Sequence, residues 1–381
     1  MIPYGRQDIS QADVDAVVEV LTSDFLTQGP AVPRFEAAVA AVVGAAHAVA
    51  VNSATSALHI ACVALGLGPG DLLWTVPNTF VASANCGRYC GADVDFVDID
   101  PATFTMCPKA LATKLVKAVA DGRLPKVLVP VHMCGQPADM VAISALAREH
   151  GILVIEDASH AIGASLLTRP IGDCYWSDIC VFSFHPVKII TTAEGGMATT
   201  NDLALARAMK MLRSHGITRD PALMTHPPDG PWYYQQLLLG YNYRMTELQA
   251  ALGLSQLGRL KEFVDRRHQV ADRYASLLSG LAVIPQAPLA GARSALHLYV
   301  VRVKEQNHRA VFEALRAAGI GVNLHYIPVH LQPYYRDLGF GPGQFPEAET
   351  YYTQAFSLPM YPGLTEAAQD RVVTALKVAT E

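Results

Sequence analysis

Two apolar runs end in residues that could do chemistry. Residues 179–184 read as a buried strand, which continues through Ser183-Phe184-His185-Pro186-Val187-Lys188 to Thr191-Thr192-Ala193-Glu194-Gly195-Gly196. Pro186 fixes φ and removes a donor, so Lys188 follows a stiff turn, and the two glycines permit close backbone approach. A lysine partly withdrawn from water there loses its proton more easily and becomes a nucleophile; in a plain surface turn the same residue does nothing. The second run, Ile152-Leu153-Val154-Ile155, leads into Glu156-Asp157-Ala158-Ser159-His160. Open α/β sheets place ligand groups at such strand ends, although an aspartate there also reads as a helix cap. Together, the strand-end aspartate and the strand-end lysine suggest pyridoxal phosphate (PLP): the lysine carries the cofactor covalently and the aspartate keeps its ring nitrogen protonated, so the ring accepts electrons.

The elements around these residues alternate. Residues 48–51 read as a strand that turns into a helix through Asn52-Ser53-Ala54-Thr55-Ser56, running to Leu65. Small residues and hydroxyls at that turn suit a phosphate on the helix N-terminus; they equally suit a plain Ser/Thr cap. Strands are expected at 72–76, 94–97, 127–131 and 197–200, with helices at 10–21, 34–43, 138–150 and 203–212. Asn78-Thr79-Phe80 opens a further helix, where the Phe80 ring could stack on a cofactor or simply fill the core. This alternation predicts an α/β fold with a mostly parallel sheet covered on both faces. Beyond Asn201 the pattern changes. Residues 218–240 form a long segment containing Pro231-Trp232-Tyr233-Tyr234, of a length that is usually functional or mobile. Helices follow at 246–257, 260–278, 308–318 and 366–379, the last capped by Thr365, with a strand at 296–303. The expected division is 1–258, a large domain with an N-terminal arm, and 259–381, a smaller α+β domain.

Composition sets the limits. A chain of 381 residues, 51% hydrophobic and 17% charged, is ordinary for a soluble protein, and its net charge of −5 argues against a nucleic-acid partner. No signal peptide or membrane-spanning run is visible. The seven cysteines read as reduced residues of a cytoplasmic protein. Cys86 and Cys90 are one helical turn apart but lack a second ligand pair, so no metal is expected. Gly66-Leu67-Gly68-Pro69-Gly70 follows a helix and precedes a strand, the wrong context for a dinucleotide site.

The chain resembles the DegT-type sugar-nucleotide aminotransferases of the aspartate aminotransferase superfamily. The matching stretches are Leu26-Thr27-Gln28-Gly29, residues 52–58, 156–160 and 183–196, and Gly240-Tyr241-Asn242-Tyr243-Arg244-Met245. Within that family, His185-Pro186-Val187-Lys188 and Pro231-Trp232-Tyr233-Tyr234 resemble the branch that makes UDP-4-amino-4,6-dideoxy-N-acetyl-β-L-altrosamine, toward pseudaminic acid. The resemblance implies the PLP-dependent transferase fold type I. It implies that Lys188 carries the cofactor and moves the proton, Asp157 pairs with the ring nitrogen, His160 lies near the ring hydroxyl and Phe80 stacks on the ring. Ala54, Thr55 and Ser183 would bind phosphate, joined by Asn242 of the partner subunit in a homodimer with shared sites. Tyr4, Leu26, Thr27, Leu324, His325 and Tyr326 would line the sugar-nucleotide cleft, to which Ala54, Ser183 and Asn242 also belong. Some relatives have glutamine where His160 stands.

The reaction implied is transfer of an amino group from L-glutamate to C4 of a UDP-linked 4-keto-6-deoxy-N-acetylhexosamine, by ping-pong covalent catalysis. Arg6, Arg219 and Arg244 are candidates for the glutamate carboxylate. Another nucleotide-linked keto sugar is the alternative substrate. A dehydratase on this fold has histidine at the position of Lys188, so Lys188 opposes that reading. A non-catalytic regulator is opposed by the filled catalytic positions.

Overall fold

The structure is a computed structural model and describes residues 1–304 and 307–380. Helices α1 (Gln11–Leu21) and α2 (Ala31–Val43) precede strand β1 (His47–Val51) and helix α3 (Ala54–Ala64). The alternation continues through β2 (Leu72–Thr75), α4 (Ala82–Tyr89), β3 (Asp93–Phe96), α5 (Pro108–Ala120), β4 (Val127–Leu128), α6 (Met140–Glu149) and β5 (Leu153–Asp157). Then come β6 (Ile179–Ser183), β7 (Gly196–Thr200), α7 (Leu203–Leu212), α8 (Glu247–Leu257) and α9 (Leu260–Leu277). Among the described residues these strands form one seven-stranded sheet in the order β1-β7-β6-β5-β4-β2-β3. The pairs from β3 through β6 are parallel, while β7 runs antiparallel to both β6 and β1. Strands β6 and β7 are buried along their whole length, which is why they read as unbroken apolar or small-residue runs. The C-terminal ends of β5 and β6, carrying Asp157 and Ser183, open on the same edge.

A second, smaller sheet joins β8 (Ile284–Pro285), β9 (Tyr299–Arg302) and β10 (Ala355–Leu358), all antiparallel. It packs with α9, α10 (His308–Ala317) and the closing helix Glu366–Thr380 around a separate apolar cluster. Thr365 caps that last helix through the N–H of Ala368. The split at 258 is not a clean division of cores. Leu260, Phe263, Leu298, Val329 and Tyr351 belong to the large cluster, whereas Ile2, from the N-terminal arm, belongs to the small one. The arm is stitched in by backbone bonds: Ile2 N–H to Gly319 O, Gly321 N–H to Ile2 O, and Met360 N–H to Tyr4 O.

Two helices differ from expectation in ways that have physical causes. In α1 the stripe that the sequence marks as apolar, Val14, Val17, Val18 and Leu21, is exposed apart from half-buried Val17, and the buried residues are Asp13 and Val20. The Asp13 carboxylate closes a capping box with Ser10 and accepts bonds from Ser255, Gln256 and Arg259. Helix α2 begins at Ala31 and not at Arg34, because Glu247 of α8 accepts from the N–H groups of Ala31 and Val32 at 2.6 and 3.1 Å. Those N–H groups have no intrahelical partner, and a buried carboxylate satisfies them as a side-chain cap would.

Candidate active site

The strand ends, the start of α3, the N-terminal arm and residues 323–326 enclose a cavity of about 880 Å³. It is lined by eleven of the residues expected from sequence: Tyr4, Ala54, Thr55, Phe80, Asp157, His160, Ser183, Lys188, Leu324, His325 and Tyr326.

Asp157 is buried at the end of β5. Its Oδ2 accepts from Ser83 Oγ of α4 at 2.6 Å and its Oδ1 from the Ser159 N–H at 3.0 Å. Lys188 sits in the turn after β6, its N–H bonded to His185 O at 2.9 Å. Burial lowers its ammonium pKa to about 8 while the Asp157 charge pulls the other way. An amine so shifted is largely free base in mildly alkaline water, the form that attacks a carbonyl.

The start of α3 is shaped for an anion. Ser53 caps the helix through the Ser56 N–H, and Ser56 Oγ is turned away to Asn52. Gly196 allows this approach, since a Cβ there would fall 2.5 Å from Ala54 N. The N–H groups at Ala54 and Thr55 have no intrahelical partner and face the cavity with the positive end of the helix dipole.

On the other wall, His160 Nδ1 accepts from the Cys134 N–H at 3.3 Å, so its proton lies on Nε2, 3.2 Å from the Tyr326 hydroxyl. Burial, followed by Lys188 and His325, pushes the imidazolium of His160 well below the usual range, so it is neutral at physiological pH. His325 is lowered likewise, to about 3, by burial and Lys188; its Nδ1 pairs with Ser357 Oγ at 2.8 Å. The Phe80 ring stands exposed at the cavity edge, 5.9 Å from Tyr326.

Leu26, Thr27 and Asn242 do not line this cavity. Leu26 O accepts from the Glu247 N–H, Thr27 bridges Thr246, and Asn242 is exposed at a bridge to Ser214. None of the candidate arginines lines it either. Arg6 and Arg219 are exposed, Arg219 standing over the Tyr234 ring, and Arg244 is half-buried. The residue that sequence reasoning missed is His297. It lines the cavity with its ring 4.4 Å from that of His160, and its Nδ1 is buried without a partner. Arg267 of α9 fixes the segment by donating to the carbonyls of Leu296, His297 and Met360. A single histidine before an apolar strand carries no local pattern that could have marked it.

A shifted amine, a fixed carboxylate, a helix N-terminus with its hydroxyls, and an exposed aromatic face fit PLP group by group. The comparisons agree. The DegT/DnrJ/EryC1/StrS aminotransferase family matches residues 7–377. The spore coat polysaccharide biosynthesis protein SpsC of Bacillus subtilis is 40% identical over 99% of this chain and 96% of its own. Helicobacter pylori PseC, an aminotransferase involved in the biosynthesis of pseudoaminic acid, is 30% identical with a TM-score of 0.91, covering 100% of this chain and 99% of that one. The PMP form of Spr1654 from Streptococcus pneumoniae is 29% identical with a TM-score of 0.92 over 100% and 99%. The chain belongs to the DegT/DnrJ/EryC1/StrS aminotransferase family and is a PLP-dependent sugar aminotransferase.

Proposed function

We propose that the enzyme takes an amino group from L-glutamate and delivers it to C4 of a UDP-linked 4-keto-6-deoxy-N-acetylhexosamine. The product is UDP-4-amino-4,6-dideoxy-N-acetyl-β-L-altrosamine, on the way to pseudaminic acid. The observation that carries this substrate is the full-length similarity to PseC, together with the local resemblance of residues 185–188 and 231–234 to that branch. SpsC, at higher identity, supports the broader reading of a sugar nucleotide bound for a polysaccharide.

Bound PLP supplies an aldehyde that captures amines and a ring that takes up the electron pair left when a proton leaves the substrate carbon. Lys188 Nζ, left as the free amine at lower pH by burial, takes that proton and returns it. Asp157, held by Ser83 and Ser159, is the carboxylate for the ring nitrogen. Ala54 and Thr55 at the start of α3, with Ser183, take the phosphate, and Phe80 covers one ring face. His160, neutral and with its proton on Nε2, donates toward oxygen at the wall it shares with Tyr326. Tyr4 and residues 324–326 shape the sugar end of the cleft.

We further propose a homodimer. Asn242 does not line its own cavity, and the chain on its N-terminal side leaves the large apolar residues Trp232 and Leu239 exposed at 71% and 79%. Asn242, and with it Leu26 and Thr27, then serves the partner's cleft. Mixing inactive Lys188→Ala chains with inactive Asn242→Asp chains restores activity, because one site of each mixed dimer receives neither change. The added carboxylate acts by repelling the phosphate. No recovered turnover after demonstrated subunit exchange would place Asn242 outside any shared site.

A panel of UDP- and dTDP-linked 4-keto sugars with glutamate as donor tests the substrate. Preferred turnover of the UDP-N-acetyl substrate supports it; preference for a dTDP-linked sugar without the acetamido group overturns it and leaves the family assignment standing.

A further inference from the structure

His297 lines the cavity but has no part in the chemistry described so far. It stands just before β9, 3% exposed, with its ring centre 4.4 Å from that of His160. The two histidines hang on one turn. The Cys134 N–H donates to His160 Nδ1 at 3.3 Å, while Cys134 O accepts from the Leu298 N–H at 3.3 Å and Gly135 O from the Ala295 N–H at 3.0 Å. Gly135, at a φ of 91°, permits this approach, since a Cβ there would fall 3.0 Å from His297 N and 2.9 Å from Leu296 N. Arg267 donates to the His297 carbonyl at 3.1 Å. The imidazole is therefore placed by its own main chain.

Its nitrogens are unspent. Among the described residues neither has a hydrogen-bond partner; Nδ1 is closed off inside the protein, whereas Nε2 is not and is the polar atom through which the ring meets the cavity. A buried N–H without an acceptor is rarer than a buried acceptor without a donor, which puts the lone pair on Nδ1 and the proton on Nε2. Burial, followed by the charges of His160, Lys188, Arg267 and His325, pushes the imidazolium well below the usual range, so the donor is neutral. Packing alone does not explain an imidazole here. A phenyl ring fills the same space and leaves no buried nitrogen unpaired, an exchange that is near neutral or stabilising. Among the described buried side chains lining the cavity, Ser183 is the other whose polar atom makes no bond to the protein, and Ser183 has the phosphate as its proposed partner.

An amino acid donor brings a carboxylate into this cavity, and among the described residues no arginine lines it. We propose that His297 is a binding residue for the amino donor, donating from Nε2 to its carboxylate and to that of the 2-oxo acid that leaves. This rests on the proposed ping-pong exchange, in which an amino acid and the sugar nucleotide use one cavity in turn. One hydrogen bond to a charged group is worth about 10–100-fold in affinity. A neutral donor holds the carboxylate by that bond and leaves no uncompensated charge in the wall when the sugar nucleotide replaces the amino acid.

The test uses the full-length enzyme loaded with PLP. Glutamate bleaches its visible absorbance in the first half of the exchange and the keto sugar restores it in the second. Glutarate, which has two carboxylates and no amine, is titrated by calorimetry. In His297→Phe the apparent Kd for glutamate and the Kd for glutarate are expected to rise about 10–100-fold. The keto-sugar half and the absorbance of the resting enzyme stay as in the wild type, and Tm is no lower. His297→Gln keeps an N–H donor but not the ring, and is expected to recover part of the binding. Wild-type affinity for glutamate and glutarate in His297→Phe overturns the proposal. So does an equal fall in both halves, which would make His297 a support for the cofactor. Should the phenylalanine variant not fold, His297→Leu is read in the same way. A wild type bleached by another amino acid and not by glutamate removes the proposed donor alone, and the His297 variants are then judged with that amino acid.

Discussion

Lys188→Ala abolishes amino transfer. In the role proposed for Lys188, the variant loses the amine that carries the cofactor and the base that moves the proton at the substrate carbon, so turnover falls by at least about 10³-fold, the upper range for removing a positioned acid–base group. The cofactor still has its phosphate and ring contacts, so the variant binds PLP without the visible absorbance of the covalently held form. Residual turnover above a few per cent, or an unchanged spectrum, would remove Lys188 from this role. The wild type offers an independent readout. Because burial lowers the amine to about 8, reductive methylation of Lys188 in the cofactor-free enzyme rises through that pH, while exposed lysines are still protonated. A midpoint near the ordinary lysine value would show that the pull of Asp157 cancels the cost of burial.

Asp157→Asn comes second in size. The amide is nearly isosteric, so the bonds from Ser83 and Ser159 are kept on its one remaining oxygen or exchanged, and the fold survives. In the role proposed for Asp157, the charge opposite the ring nitrogen is lost, and electron withdrawal weakens with it. Removing one preorganised electrostatic partner costs about 10²–10³-fold in turnover. The expected pattern is a fall in kcat with PLP still bound at full stoichiometry. Near-normal turnover would mean that another acid serves the nitrogen; Glu156 is not free to do so, since it is buried against His132 and Ser177.

What was legible in the sequence was local. Lys188, Asp157 and Ser53 each follow a short apolar strand, and a strand end in a parallel sheet is a position with a known outlook. The capping residues Ser10 and Thr365 lie within three residues of the N–H groups they serve, so they too could be read. The features that escaped depend on contacts between residues far apart in the chain. Glu247 caps α2 from more than two hundred residues away. The same carboxylate explains Gly29, where a Cβ would fall 2.7 Å from Glu247 Oε2 and 2.5 Å from Phe25 Cβ. Ser83, which positions Asp157, looks like any helix serine. The stripe on α1 obeyed the helical period, but period alone does not say whether an apolar face meets this chain's core, and here it does not. Helix α8 ends at Leu257 and α9 begins at Leu260, yet segments beyond that break pack into the large core through Leu298, Val329, Tyr335 and Tyr351, and His297 with residues 323–326 lines the cavity.

The stitched N-terminal arm has a consequence for biosynthesis. Residues 2–4 leave the ribosome more than three hundred residues ahead of the groups that receive them, at 319–321 and 360. At about 5–20 residues per second the arm waits on the order of tens of seconds with Ile2 uncovered. Tyr4, one wall of the cavity and 5.2 Å from the His325 ring, reaches its place only when synthesis has passed residue 360. Nascent chains stalled before residue 319 therefore carry the strands of the large sheet, without the core residues Val329 and Tyr351, and an open, unwalled cleft.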